Sequence, residues 1–313
     1  MPPPNKPLLI FLLVAVLLGA MFLGAQEGAT FTSDVRVVVL HASVMDKSGK
    51  LLTNLPREAF KVFENGIEQQ IKKFQREDVP VSMGIIIDNS GSMRDKRQKV
   101  ESATLNLVKA ANRNDEIFIV NFNDDAFLDV PFTNDVKKLE EGLARIDSRG
   151  GTAMRDALSM SLDEVKDKGK RPKKVLLIVT DGNDNTSLIT LEKLLEKAQR
   201  AEVLIYSIGL LSEEERREAV KAKRALNALA TASGGLAYFP KDPAEVERIA
   251  MDVAHEIRNQ FMIQYSPINQ ALDGSFRQIK LTVNAPGKPL VRTRSGYYAT
   301  PAPTPKKLSQ SIR

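Results

Sequence analysis

Hydrophobic and polar positions follow three different patterns along the chain. Residues 35–45, VRVVVLHASVM, are rich in β-branched side chains and predict a strand. DKSGK reads as a turn, and FKVFE and IEQQIKKF as strands joined at Asn65-Gly66, a pair suited to a tight hairpin turn. From Val81 the pattern changes to apolar blocks separated by stretches of helical spacing. VSMGIIID, DEIFIVNFN, KKVLLIVTDG and EVLIYSIGL predict buried strands, with AFLDVPFT as an antiparallel partner of the second and LAYFP as a short strand. Helices are predicted for MRDKRQKVESATLNLVKAAN, DVKKLEEGLARI, TAMRDALSMSLDEVKD, TLEKLLEKAQRA and SEEERREAVKAKRALNALATASGG. A last helix, DPAEVERIAMDVAHEIRNQ, has Asp242 as its N-cap and Pro243 at its first position. After about Asn259 the chain turns β-rich again, in QFMIQYSP, FRQIKLTVN and VRTRSGYYA.

Strands that alternate with helices predict an α/β body at 79–258, with a doubly wound, mostly parallel sheet covered on both faces. The strand-rich segments 35–77 and 259–299 flank it, and we expect them to pair into one small β module built from both ends of the chain. The alternative is two unrelated β decorations. The tail 300–313 is Pro-rich and basic, and is expected to be disordered.

The first residues bear on the compartment. Lys6 precedes PLLIFLLVAVLLGAMFLGA, an uncharged run that ends in small residues near Ala25. That describes a secretory signal, residues 1–25, with cleavage after about Ala25 expected over retention as a membrane anchor. The expected location is periplasmic or extracellular, with inner-membrane anchoring only where the segment is retained. The absence of cysteine removes disulfides, thiol catalysis and zinc–thiolate sites. A net charge of +6, with both signs interspersed and no basic run interleaved with aromatics, argues against nucleic acid as a partner.

The chemistry gathers where the apolar strands end. VSMGIIID runs into Asp88, Asn89, Ser90, Gly91 and Ser92, more small oxygen-bearing side chains than a turn needs. VLLIVTDG ends in Asp181, and SRGGTAM places Thr152 after Gly150 and Gly151. In an open parallel sheet ligands bind beyond the carboxyl ends of the strands, where the strand order reverses. Neighbouring strands at that point would bring Asp88, Ser90, Ser92, Thr152 and Asp181 together. A set made of oxygen donors alone suits a hard cation, Mg²⁺, Mn²⁺ or Ca²⁺. The plainer readings are that Ser90 and Ser92 cap the next helix, Thr152 is an N-cap and Asp181 a turn residue.

DNSGS resembles the D-x-S-x-S pattern of von Willebrand factor type A domains, which carry a metal-ion-dependent adhesion site. The family's later Thr and Asp look like Thr152 in GGTAM and Asp181 in TDG. The resemblance covers about residues 79–258, with three separated motifs in the right order. It implies the Rossmann-like fold of that family, and metal-dependent protein binding rather than catalysis. DGSFRQIKLTV and VRTRSGYYA are also similar to segments of exported bacterial proteins with such a domain, often found in Acidobacteria.

The expected function is therefore an exported binding module that captures an Asp or Glu carboxylate of another protein through the cation. One alternative is a structural envelope protein whose metal only stabilises the fold. Another is a metal-dependent hydrolase, against which stand the lack of H-E-x-x-H, of a G-x-S-x-G elbow and of a P-loop, and Ser90 where D-x-D-x-T needs Asp. Around the core set, Asp124 and Asp125 read as a solvated turn. Asp184 and Asn185 read as rim loop, and Asp156 as either a brace or a surface position. His41 and His255 read as non-catalytic, and SEEERREAVKAKR as a solvated face.

Overall fold

The computed structural model describes residues 36–76, 78–144, 148–182, 184–212 and 216–301. The N-terminal apolar run and the basic tail lie outside these residues. No described helix is long and apolar enough to cross a membrane.

The chain opens with β1 (Val38–Met45), β2 (Phe60–Glu64), β3 (Ile67–Gln69) and β4 (Ile71–Arg76). The α/β body follows as β5 (Val81–Asp88), α1 (Arg97–Lys109), β6 (Glu116–Phe122), β7 (Ala126–Thr133), α2 (Val136–Ala144) and α3 (Met154–Lys168). It continues with β8 (Lys173–Thr180), α4 (Leu191–Ala201), β9 (Leu204–Gly209), α5 (Arg216–Ser233), β10 (Ala237–Tyr238) and α6 (Val246–Arg258). The chain closes with β11 (Phe261–Tyr265), β12 (Phe276–Val283), β13 (Leu290–Arg292) and β14 (Gly296–Tyr298).

The body's sheet has the order β10-β9-β8-β5-β6-β7. All its pairings are parallel except β6 with β7. Every residue of β5 is buried, because its two faces meet two different helical layers. Ile85 and Ile87 join the core formed with α1, α2 and α6. Ile86, pointing the other way, joins the core formed with α3, α4 and α5. That is why the strand reads as an unbroken apolar run rather than an alternating one. Leaving β5, the chain goes to β6 on one side and later returns to β8 on the other, so β5 and β8 flank the point where strand order reverses.

The flanking segments form two four-stranded sheets, β13-β1-β11-β4 and β14-β12-β2-β3. Each contains strands from both ends of the chain, and their inward residues share one core that includes Leu40, Phe60, Val62, Phe261, Ile263 and Leu281. The hairpin falls at Asn65-Gly66, both with positive φ (47° and 83°), as a turn matched to strand twist requires.

Several boundaries differ from expectation. IEQQIKKF is not one strand: it breaks at Gln70, so that β3 pairs with β2 while β4 pairs with β11 in the other sheet. VRTRSGYYA likewise divides into β13 and β14, one for each sheet. Asp242 caps a short 3₁₀ turn, Pro243–Glu245, in a capping box, and α6 begins only after it.

The last helix is tied at both ends. Near its start, Glu247 Oε1 accepts from Asn106 Nδ2 of α1 at 2.7 Å, and at its C-terminus Lys173 Nζ donates to Ile257 O at 2.6 Å. Burial brings the Lys173 ammonium down to about 8. Arg258 pairs with Asp78 at 2.7 Å and Asp115 at 2.6 Å. Asp115 in turn accepts from Val81 N at 2.9 Å, which anchors the first residue of β5.

Candidate metal centre

Asp88 is the last residue of β5, and Asp181 directly follows β8, its parallel neighbour. The two carboxylates therefore leave the sheet side by side. Ser90, Ser92, Gly150, Gly151, Thr152 and Asp181 line one cleft of about 560 Å³, together with Asp95, Lys96, Asn185, Ser212, Glu218 and Ala219. Four of the five expected residues thus face one cleft. The fifth, Asp88, is fully buried and bonded to Ser90, with Oδ1 accepting from Ser90 N at 2.8 Å.

Backbone bonds assemble the three loops. Gly91 N donates to Gly150 O at 3.1 Å, and Arg149 N to Asn89 O at 2.9 Å. These join the loop after β5 to the Gly150-Gly151 loop. Thr152 N donates to Asn185 Oδ1 at 2.9 Å, and Asn185 N returns a bond to Thr152 O at 3.1 Å. That exchange joins the second loop to the loop after β8. Gly150 has φ of 76°, and a Cβ there would lie 2.1 Å from Asp124 Oδ2, so only glycine fits.

The side chains are oriented for more than capping. Ser90 makes no side-chain cap; its Oγ lies 3.1 Å from Ser92 Oγ. The N-cap of α3 is Ala153, so Thr152 does not serve that role. Thr180 Oγ1 donates to Asp88 Oδ2 at 2.6 Å and accepts from Gly182 N at 2.9 Å. Burial raises the Asp88 carboxyl to about 6; Asp181 adds to the rise, and the bonds from Thr180 and Ser90 oppose it. Asp181 Oδ2 pairs with Lys96 Nζ at 3.2 Å, while its Oδ1 is buried with no hydrogen-bond partner among the described residues. A buried carboxylate oxygen left without a donor fits a cation ligand. Two carboxylates with three hydroxyls also form the donor set of a hard divalent ion.

The neighbouring residues separate into braces and bystanders. Asp124, expected as a solvated turn, is exposed yet accepts from Gly151 N at 2.7 Å. Asp125 stays in the exposed turn. Asp156 accepts from Leu188 N and Ile189 N at 2.8 and 3.0 Å and so braces the loop after β8. Asp184 is engaged by Arg155, whose Nε and Nη2 lie 3.0 and 3.1 Å from its two oxygens. In the charged helix α5, Glu218 lines the cleft and pairs with the exposed Lys221 at 2.9 Å. His41 and His255 are absent from the cleft lining. His41 is half-buried, and the desolvation of its ring, ahead of Lys173 and Arg294, holds it down to about 3, so it is neutral.

Sequence reasoning passed over Thr180 and Lys96. Thr180 had a visible cue, standing next to Asp181 at the same strand end. Lys96 had none, because its contact with Asp181 spans 85 residues.

A doubly wound α/β domain with an oxygen-lined cleft at its switch point belongs to a recognisable class. Residues 83–183 match the von Willebrand factor type A domain family, and the chain is a protein carrying that domain. An uncharacterized protein of Borreliella burgdorferi is 29% identical over 157 residues, 49% of this chain and 45% of that protein. The match therefore spans less than half of that relative's length. Among solved structures, proximal thread matrix protein 1 of the mussel byssus is similar at 16% identity with a TM-score of 0.51, covering 62% of this chain and 51% of that one. The same mussel protein with a zinc-occupied MIDAS motif is similar at 17% identity with a TM-score of 0.50, covering 62% and 49%. At these identities the likeness is one of fold.

Proposed function

We propose that the chain is an exported protein-binding module that takes a carboxylate of a partner protein through a divalent cation. Asp88, Ser90, Ser92, Thr152 and Asp181 would hold the ion, with Mg²⁺ first in order and Mn²⁺ or Ca²⁺ as substitutes. The observation that carries the reading is the meeting of Asp181, with its unpartnered Oδ1, and the Ser90–Ser92 hydroxyl pair in one open cleft. The family match supports it, as does a relative of the same fold whose MIDAS motif holds zinc. When bound, the ion supplies a positive centre for an Asp or Glu side chain of the partner.

The chain's own residues prepare the site. Thr180 and the Ser90 amide fix the Asp88 carboxylate in one orientation. Asn185 holds Thr152 from the rim, and Asp124 holds the glycine loop close to Gly91. These bonds preorganise the oxygens, so that little ordering remains to be done on binding. Export rests on the apolar run up to Ala25.

The test is calorimetric titration of Mg²⁺ and Mn²⁺ into the full chain beside Asp88→Ala. Binding near one equivalent that the variant loses is the expected result. A folded wild-type protein that takes up neither ion would overturn the proposal.

A further inference from the structure

Lys96 lines the cleft, and the binding reading does not use its placement. It precedes α1, and its amide is fixed by Met93 O at 3.0 Å. From there the side chain crosses to the far side of the cleft. Its ammonium donates to Asp181 Oδ2 at 3.2 Å and to Leu210 O at 3.2 Å. The two acceptors form a framed seat. Leu210 N donates to Thr180 O at 2.9 Å, so the carbonyl just past β9 is held against the end of β8, beside Asp181. Both side chains are mostly covered, Lys96 at 23% and Asp181 at 6% exposure. An exposed lysine that merely drifted near a carboxylate would not be held from two strand ends.

We propose that Lys96 is a tethered counter-cation for Asp181, which competes with the divalent ion and sets how tightly the cleft holds it. This inference rests on the metal-binding reading above. Without metal, two carboxylates leave the sheet side by side, and each penalises the charge of the other. Asp88 is relieved by hydrogen bonds, whereas Asp181 has the ammonium. An ion bound through Asp181 Oδ1 would sit across a single carboxylate from that ammonium. Like charges at that separation in a partly covered cleft repel strongly. Lys96 would therefore have to leave Asp181 for an ion to be held there, and the work of that departure would be subtracted from the affinity. Without metal the tether balances the Asp181 charge, and it raises the cation concentration at which the cleft fills.

The experiment is calorimetric titration of Mn²⁺ into the full chain, wild type against Lys96→Met, which keeps an unbranched stem and removes the charge. The variant is expected to bind at least about tenfold tighter, a difference of about 1.4 kcal/mol. If both bind equally, or the variant binds more weakly, the counter-cation role is overturned while the metal reading stands. If neither binds, both fall. A second measurement needs no variant: acetylation of Lys96 in the wild-type chain, followed by mass spectrometry with Lys99 as the exposed reference. Saturating Mn²⁺ should raise labelling of Lys96 relative to Lys99. Unchanged labelling at saturation would overturn the expulsion even if Lys96→Met failed to fold.

Discussion

Thr180 Oγ1 donates to Asp88 Oδ2 at 2.6 Å, across the two strands that frame the switch point. The same hydroxyl accepts from Gly182 N at 2.9 Å, so a single side chain links one strand-end carboxylate to the loop that carries the other. Thr180→Val keeps the shape and removes both bonds. Asp88 Oδ2 and the Gly182 amide then lose their partner inside the fold, at a cost of about 1–3 kcal/mol for each group. Chemical denaturation should show a loss of that size. Mn²⁺ titration should show weaker binding, because Asp88 is no longer held in one orientation. Unchanged affinity would mean that Thr180 only supports the backbone.

The Asp88 carboxyl gives the metal-free domain a pH dependence with a definite sign. Its folded value, raised to about 6 by burial, lies above the value of about 4 for an unfolded chain. Between these values the native state binds more protons than the unfolded one. The contribution is complete below about pH 4 and is lost as pH rises through about 6, amounting to about 3 kcal/mol. Asp88→Asn lacks this term. The stability difference between variant and wild type, measured without metal at pH 4, 5, 6 and 7, should therefore shift in the variant's favour as pH rises. Saturating Mn²⁺ should abolish the shift, because the ion favours the ionised carboxylate. A difference independent of pH would show that Asp88 ionises freely in the fold.

The legible parts of this chain were those whose cause is local. An apolar run that ends in Asp reads as a buried strand delivering a carboxylate, and Asp88 and Asp181 both followed that rule. Asn65-Gly66 marked its turn because few other pairs accept two positive φ values in succession. IEQQIKKF was misread because nothing in it marks the change of partner at Gln70. The alternation continues, but the strand's next neighbour is Phe261–Tyr265, nearly two hundred residues away in sequence. Lys96 and Glu256 were silent for the same reason. Each meets partners brought in by other strands, and a lone Lys or Glu on a helix ordinarily reads as solvated.

In the β module, Glu64 is buried and accepts from two tyrosines, Tyr265 Oη at 2.8 Å and Tyr297 Oη at 2.9 Å. The three come from β2, β11 and β14, so the cluster bridges the two sheets. Burial first, and then the Glu64 carboxylate, hold both hydroxyls protonated well above the usual tyrosine range. Either Tyr→Phe change should cost about 1–2 kcal/mol in urea denaturation. The double variant should cost more than the sum, because Glu64 then has neither donor. Strict additivity would mean that the two hydroxyls contribute independently of each other.

Glu256 of α6 is the polar joint between the two parts of the described fold. It is buried, and Oε1 accepts from Ser43 Oγ in β1 at 2.8 Å, from Tyr206 Oη in β9 at 2.7 Å, and from Arg292 in β13. Gln260 closes the network with bonds to Ser43 Oγ at 3.1 Å and Tyr206 Oη at 3.2 Å. One carboxylate thus couples the last helix to the central sheet and to the β module. Glu256→Ala strands the Arg292 guanidinium and two hydroxyls, and removal of one partner from a buried pair costs about 3–5 kcal/mol. If this joint restrains α6, amide exchange across Val246–Arg258 should speed up in the variant by more than exchange in β5 and β8. Protection lost evenly over the whole domain would show that Glu256 supports global stability and leaves the helix no freer than the sheet it covers.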